Sequence, residues 1–308
     1  MEKEILGQEQ VEKQLAKSIR DEKVYPTLIF CGPAGVGKST MAHKFAKCLL
    51  AEKIPQGDDL SVAEYHPIHK SVEMHTHPDF FVLDQSAISI EDTRKLMANL
   101  RTMPAQSKWR VVILENAENL NKSTCNSLLK ILEEPPKNSV IVMICTHVGN
   151  MPKTLLSRAY VVNFYPIADK VVQNFLEKRG IQDAEQLAKI SDGSIGYALK
   201  LAENNGLEIY EHLLAGIMGD AANYAETVKY VMTKNICGNF DMVKNSLMHI
   251  LRNYMNELIR CTGNTCSPKI DAMAKKILEI SFLLNRCDFL QLDKNAVVAS
   301  IYEKFHKK

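Results

Sequence analysis

The stretch that most constrains this sequence is Gly32-Pro33-Ala34-Gly35-Val36-Gly37-Lys38-Ser39, which matches the pattern G-x-x-x-x-G-K-[ST]. The apolar run Thr27–Cys31 precedes it. The stretch Thr40–Leu50 follows, with Met41, Phe45, Ala46 and Leu49 on one helical face. Glycines at this spacing let the backbone curl so that successive N–H groups face an anion. The helix that follows aims its N-terminal dipole at the same point. In such a loop the lysine reaches the β- and γ-phosphates and the hydroxyl serves Mg²⁺. Gly32, Gly35, Gly37, Lys38, Ser39 and Thr40 therefore form a candidate nucleotide-binding set. A chain with this element contains a strand–loop–helix unit, and that requires a sheet built with crossovers.

Phe80–Asp84, Arg110–Leu114, Val140–Cys145 and Tyr160–Phe164 are further strand candidates. Their apolar residues run on without alternating, as in strands covered on both faces. Helical patterns lie between them. Ser89-Ile90-Glu91-Asp92 looks like a capping signal for a helix carrying Leu96, Met97 and Leu100. Asn121–Glu134 carries Leu128, Leu129 and Leu132 and stops at Pro135-Pro136. Alternating strands and helices predict a parallel α/β sheet with flanking helices. After Pro166 the strand signal fades. Asp169–Lys178, Asp183–Ile190 and Ser194–Leu201 predict short helices, and from Gly206 onward only longer helical patterns remain. The expected division is an α/β P-loop nucleotide-binding domain at 1–165, a small helical lid at 166–205 and an all-α C-terminal domain at 206–308.

Composition narrows the functional class. Of 308 residues, 46% are hydrophobic and 24% charged, which excludes a disordered chain. The net charge of +2 lacks the basic excess of a dedicated nucleic-acid binder. The eight cysteines form no CxxC pair, as expected of reduced thiols, and Cys261 and Cys266 have no partner pair for metal or redox chemistry. The longest purely apolar run, Val140–Cys145, is far short of the ~18–20 residues of a membrane helix. The N-terminus, MEKEILGQEQ, has no apolar core. A soluble, cytoplasmic protein with no membrane partner is expected.

A P-loop requires a second element, an apolar strand ending in acids. Val111–Glu118 (VVILENAE) is suitably placed. Glu115 stands where a carboxylate supports Mg²⁺. Asn116 stands where many ATPases have the carboxylate that orients the attacking water, and an amide is a poor base. ATP with Mg²⁺ is the expected cofactor. Whether it is still bound stays open at this level, and little or no hydrolysis is expected of the chain itself.

The segment Lys108–Pro136, KWRVVILENAENLNKSTCNSLLKILEEPP, together with Leu155-Leu156-Ser157-Arg158-Ala159, resembles the AAA+ clamp-loader family of bacterial DNA polymerase III. The resemblance covers about residues 1–205 well and the C-terminal helices only in kind. Among subunits of that family the chain is most similar to delta-prime. Arg158 occupies the Ser-Arg-Cys position, although the cysteine is Ala159 here. The segment Gly193–Leu199 has no arginine where active ATPases carry a second sensor, and the Glu115-Asn116 strand end is degenerate. The resemblance implies that Thr146 is the first-sensor residue. It implies that Arg158 is an arginine finger acting in trans on a neighbour's ATP, and that the C-terminal helices belong to an oligomeric collar. It also implies partners: gamma/tau-like ATPases, delta, and through the complex the sliding clamp and primed DNA, in DNA replication. The competing readings are an ATP-hydrolysing motor subunit of the same family, a P-loop phosphotransferase and a homohexameric helicase-type AAA+ protein.

Members of the family commonly carry a four-cysteine zinc module after the first helix. Residues 51–78 here contain no cysteine but do contain His66, His69, His75 and His77. All-histidine structural zinc sites are uncommon, so no zinc is expected. Trp109, at the start of an apolar strand, is expected to pack rather than stack on a base, and Lys307-Lys308 to be a solvated end.

Overall fold

A computed structural model describes residues 5–84, 99–100, 102–120, 122–219, 226–227, 229–230, 240–262, 267–287 and 292–306. Five parallel strands form one sheet: β1 (Thr27–Cys31), β2 (Phe80–Asp84), β3 (Arg110–Glu115), β4 (Ser139–Cys145) and β5 (Tyr160–Asn163). Their spatial order is β2-β3-β4-β1-β5. All residues of β1 and β4 are buried, which is why their sequences are apolar without alternation. Edge strand β5 is largely exposed except at Val162.

The period of two along a strand divides the core into two layers. Leu28, Phe30, Val111, Ile113, Val140 and Val142 face one way, packed with residues of α1 (Glu9–Arg20), α2 (Lys38–Leu50) and α3 (Ile68–Glu73). Ile29, Cys31, Val112, Leu114, Ile141 and Met143 face the other, against Leu128 and Leu132 of α4 (Lys122–Glu133) and Leu155 of α5 (Lys153–Leu156). The register pairs Cys31 with Cys145 and Leu114 with Met143. The carboxyl ends of β1, β4 and β3 therefore lie side by side, where ligands bind in open α/β sheets.

The chain divides into two compact units. The first comprises Met1–Val171 with Gly193–Gly196, and the second Val172–Asp192 with Tyr197–Lys308. The sheet belongs to the first. Helices follow it: α6 (Asp169–Lys178), α7 (Ala184–Ile190), α8 (Ile195–Glu203), α9 (Gly206–Met218), α10 (Phe240–Thr262), α11 (Pro268–Arg286) and α12 (Lys294–His306). Within the second unit the Tyr197 hydroxyl donates to the Met242 carbonyl at 3.0 Å. Tyr302 is fully buried and donates to the Leu213 carbonyl at 3.1 Å. Gly216 lies so close to it that a Cβ would meet the Tyr302 ring at 2.7 Å. The helix expected to open at Ser89 lies outside the described residues, apart from Asn99 and Leu100, which are helical.

Candidate nucleotide-binding site

The loop after β1 turns on glycine. Gly32, Gly35 and Gly37 have φ of 155°, 75° and 98°. A Cβ on Gly32 would lie 2.3 Å from the Phe164 carbonyl oxygen, so only glycine fits there. Gly37 is the left-handed residue just before α2, and Lys38, Ser39 and Thr40 form the first turn of that helix. Lys38 is 6% exposed, and its Nζ donates to the carbonyls of Gly32 and Pro33, both at 2.6 Å. Burial pulls its ammonium below the usual lysine range, against the opposing pull of nearby groups that include Glu118 and Glu115.

The tips of the neighbouring strands complete the site. Ser39 Oγ donates to Glu115 Oε1 at 2.6 Å. Asn116, next in the chain, is exposed and takes a left-handed conformation with φ 50°. A 3-10 turn, Ala117–Asn119, brings Glu118 back toward β4. There Glu118 Oε1 accepts from the Thr146 N–H at 3.0 Å and from its hydroxyl at 2.7 Å. The other Glu118 oxygen, Oε2, is buried without a hydrogen-bond partner. Under the loop lie the buried Cys31 and Cys145, and burial pushes the Cys145 thiol up to about 12, so it is not placed as a reactive thiolate. A short segment from far along the chain closes on the same loop. Ser194 Oγ donates to the Ala34 carbonyl at 2.8 Å, and the Gly196 N–H to the Gly35 carbonyl at 3.0 Å. The donor set of loop backbone, ammonium and serine hydroxyl, with a carboxylate beside the serine, fits a nucleotide phosphate accompanied by Mg²⁺.

A family model described as "DNA polymerase III, delta subunit" matches residues 7–168, more than half of the chain. The chain belongs to that family. A gamma subunit of DNA polymerase III from Buchnera aphidicola subsp. Schizaphis graminum is 30% identical over 211 residues, 66% of this chain and 57% of that protein. The tau subunit of Escherichia coli is 27% identical over 212 residues, 65% of this chain and 32% of that protein. The chain thus spans from about a third to just over half the length of these curated relatives. A gamma-subunit-related protein from Thermotoga maritima, of known crystal structure, is 15% identical, with 97% of this chain and 98% of that chain covered and a TM-score of 0.49.

In this delta-family chain the remaining expected site residue stands apart from the loop cluster. Arg158 follows α5. Its guanidinium is exposed and donates to Glu133 Oε1 at 2.9 Å, to the Thr154 carbonyl at 3.1 Å and to Ser157 Oγ at 3.1 Å. Glu133 ends α4 in the LEEPP segment, so the two resembling motifs meet at this ion pair.

The four histidines of residues 51–78 in this delta-family chain make separate contacts. His66 Nδ1 accepts from the Ile68 N–H, His69 Nε2 bonds the Ala63 carbonyl, His75 stacks on Phe80, and buried His77 accepts from the Asp79 N–H. Among the described residues no group of three or more His, Cys, Asp or Glu is placed to hold a metal ion. No described helix is long and apolar enough to cross a membrane. Trp109 is partly buried against the core layer that holds α2, as expected of a packing residue.

Two features of the site, and one ion pair at the opposite ends of β2 and β3, escaped the sequence reading. The Glu118–Thr146 contact joins an acid of the expected strand end to the residue that the resemblance makes the first sensor, and no spacing in the sequence links the two. The Ser194–Gly196 grip on the loop joins one serine hydroxyl and one backbone N–H to loop carbonyls far away in sequence, which leaves no local pattern. The Asp79–Arg110 ion pair, at 3.1 Å, sits beneath the segment 102–107 with Asp79 fully buried. An acid three residues beyond Glu115, facing a strand-end threonine, was the available clue to the first.

Proposed function

We propose that the chain is a delta-prime-like subunit of the DNA polymerase III clamp loader, an AAA+ module that braces the ring while neighbouring subunits hydrolyse ATP. The observation that carries this reading is a complete phosphate loop beside Asn116, an amide where a water-orienting carboxylate is needed, in a chain of this family. Nucleotide with Mg²⁺, when bound, supplies the charge that switches such modules. The loop backbone and Lys38 would hold the phosphates, and Ser39, with Glu115, the metal. Thr146 takes the first-sensor place at the tip of β4. Asn116 can orient a water by hydrogen bonding but cannot remove its proton.

In the same reading the lid is 166–205 and the collar 206–308. On α11, Leu278 and Phe282 are 69% and 55% exposed, one helical turn apart, which supports a face that packs on another subunit. The partners are gamma/tau-like ATPases and delta, with the sliding clamp and primed DNA reached through the complex, in the cytoplasm. Arg158 is the finger offered to a neighbour's ATP. Its bonds to Glu133 and Thr154 are exposed and worth at most about 1 kcal/mol, so they hold the side chain ready rather than locking it.

Mixing the purified chain with a gamma/tau-like ATPase and delta should give one co-eluting complex. In that complex Arg158→Ala should lower clamp- and DNA-stimulated turnover while leaving this chain's own melting temperature and nucleotide affinity unchanged. Fingers supplied in trans are worth about 10³–10⁵ at the site they serve, and the other sites of the ring limit the total loss. Arg158→Lys should not restore turnover, since an ammonium lacks the planar fork. Separate elution, or full turnover by the Arg158→Ala complex, would remove the assignment. The motor-subunit reading draws support from the gamma and tau names of the relatives. ATP turnover by the isolated chain would favour it.

A further inference from the structure

Several donors at the phosphate end of this site already serve the chain's own acceptors. Lys38 Nζ serves two loop carbonyls, Ser39 Oγ serves Glu115, and both the N–H and the hydroxyl of Thr146 serve Glu118. A threonine hydroxyl has one hydrogen to donate. While Thr146 holds Glu118 it has none for a phosphate oxygen, which can only accept. Glu118 also brings a second, buried and unpartnered oxygen to the same place, within the electrostatic reach of Lys38. A third phosphate that seeks Thr146 must displace one anion with another. The first two phosphates make no such demand, because loop backbone and Lys38 meet them and Glu118 bonds to neither.

We propose that Glu118 is an internal stand-in for the third phosphate, a specificity-determining residue that makes this site prefer a nucleoside diphosphate to a triphosphate. This rests on the reading above that the loop binds nucleotide and that Thr146 faces its terminal phosphate. Thr146 and Glu118 form a closed pair when the third phosphate is absent. Entry of a triphosphate breaks that pair and brings the freed carboxylate against the incoming charge. A diphosphate leaves the pair intact.

Calorimetric titration of the full-length chain with MgADP and with MgATP tests this, comparing wild type with Glu118→Gln and Glu118→Ala. The wild type should bind ADP about tenfold tighter than ATP, the scale of one charge-assisted hydrogen bond. Both variants should shift the ATP-to-ADP affinity ratio toward ATP by about tenfold, with ADP affinity nearly unchanged. Glu118→Gln keeps the side-chain volume and exchanges the charged carboxylate for a neutral amide, so the comparison survives if Glu118→Ala folds poorly. A ratio equal in wild type and variants would overturn the proposal, as would a variant that loses ATP affinity, since Glu118 would then help to hold the triphosphate. Absence of binding of either nucleotide by wild type and variants alike would instead overturn the underlying phosphate-loop reading, and the stand-in with it.

Discussion

Asp79 has no solvent exposure, yet its carboxylate has ample company. It accepts N–H groups from Ala105, Gln106 and Ser107 at 2.7, 2.7 and 3.1 Å, and a guanidinium N–H from Arg110 at 3.1 Å. Arg110 in turn donates to the carbonyls of Asn99, Thr102 and Met103. One ion pair thus ties the chain before β3 back to the entry of β2. Burial alone would raise the Asp79 carboxyl, but the three amides and Arg110 outweigh it and hold the group below the usual range. A carboxyl lowered on folding contributes its stability above the unfolded value, about 4, and loses it as pH falls through the folded value. Asp79→Asn should therefore cost about 3–5 kcal/mol near neutral pH, the usual result of leaving a buried charge without its partner. The gap from wild type should close as the pH drops below about 4. Urea unfolding followed by the fluorescence of Trp109, the single tryptophan, reports on this region directly. A gap that stays constant down to about pH 2 would show that the ion pair is not its source.

At the scale of elements, much of the sheet was legible. β1, β2 and β3 begin where the apolar runs predict, and β4 begins one residue earlier, because continuous burial leaves a continuous apolar signature. Expected strand residue Phe164 falls just beyond β5, though its N–H still reaches the Cys31 carbonyl at 2.7 Å. The phosphate loop was legible because its chemistry needs particular residue types at fixed spacing. What was hidden depends on distance along the chain. The Glu118–Thr146 pair spans 28 residues and the Ser194–Ala34 bond 160, and neither leaves a local periodicity. The segment from Gly193 to Gly196 illustrates this best, since its two glycines fit by lacking a side chain. A Cβ on Gly196 would lie 2.9 Å from the Gly35 Cα, a backbone atom that cannot swing aside. Gly196→Ala should weaken the grip by about 1–3 kcal/mol, the ordinary cost of overpacking. Hydrogen exchange is the measurement that checks it. The Gly196 amide should exchange roughly ten- to a hundredfold faster, with the amides of β1 and β4 unchanged. Unaltered exchange at Gly196 would mean that the loop accommodates the methyl group.

At the scale of the whole molecule, the helices after the sheet depend on one another across the boundary expected at residue 206. The Tyr197 hydroxyl meets the Met242 carbonyl and Ser246, and Asp192 pairs with Arg252 and lies 3.7 Å from His249. Burial pushes the Tyr197 hydroxyl up to about 12, as befits a phenol whose partners come from a distant helix. A chain ending at residue 205 loses all of these partners. It should melt well below the full chain and aggregate, because Ala198 and Leu201, buried in the full chain, lose the cover that follows. Size-exclusion chromatography and thermal melts of the two chains side by side decide this. A truncated chain as soluble and as stable as the parent would show that the boundary is real. The path of the chain has a genetic consequence as well. Four residues of the first unit, Gly193–Gly196, are written inside the stretch that encodes the second. One recombination crossover between related genes therefore cannot transplant either unit whole. A chimera joined once, after Val171, would set one parent's Gly193–Gly196 on the other parent's phosphate loop, so the two segments must be inherited together or change together.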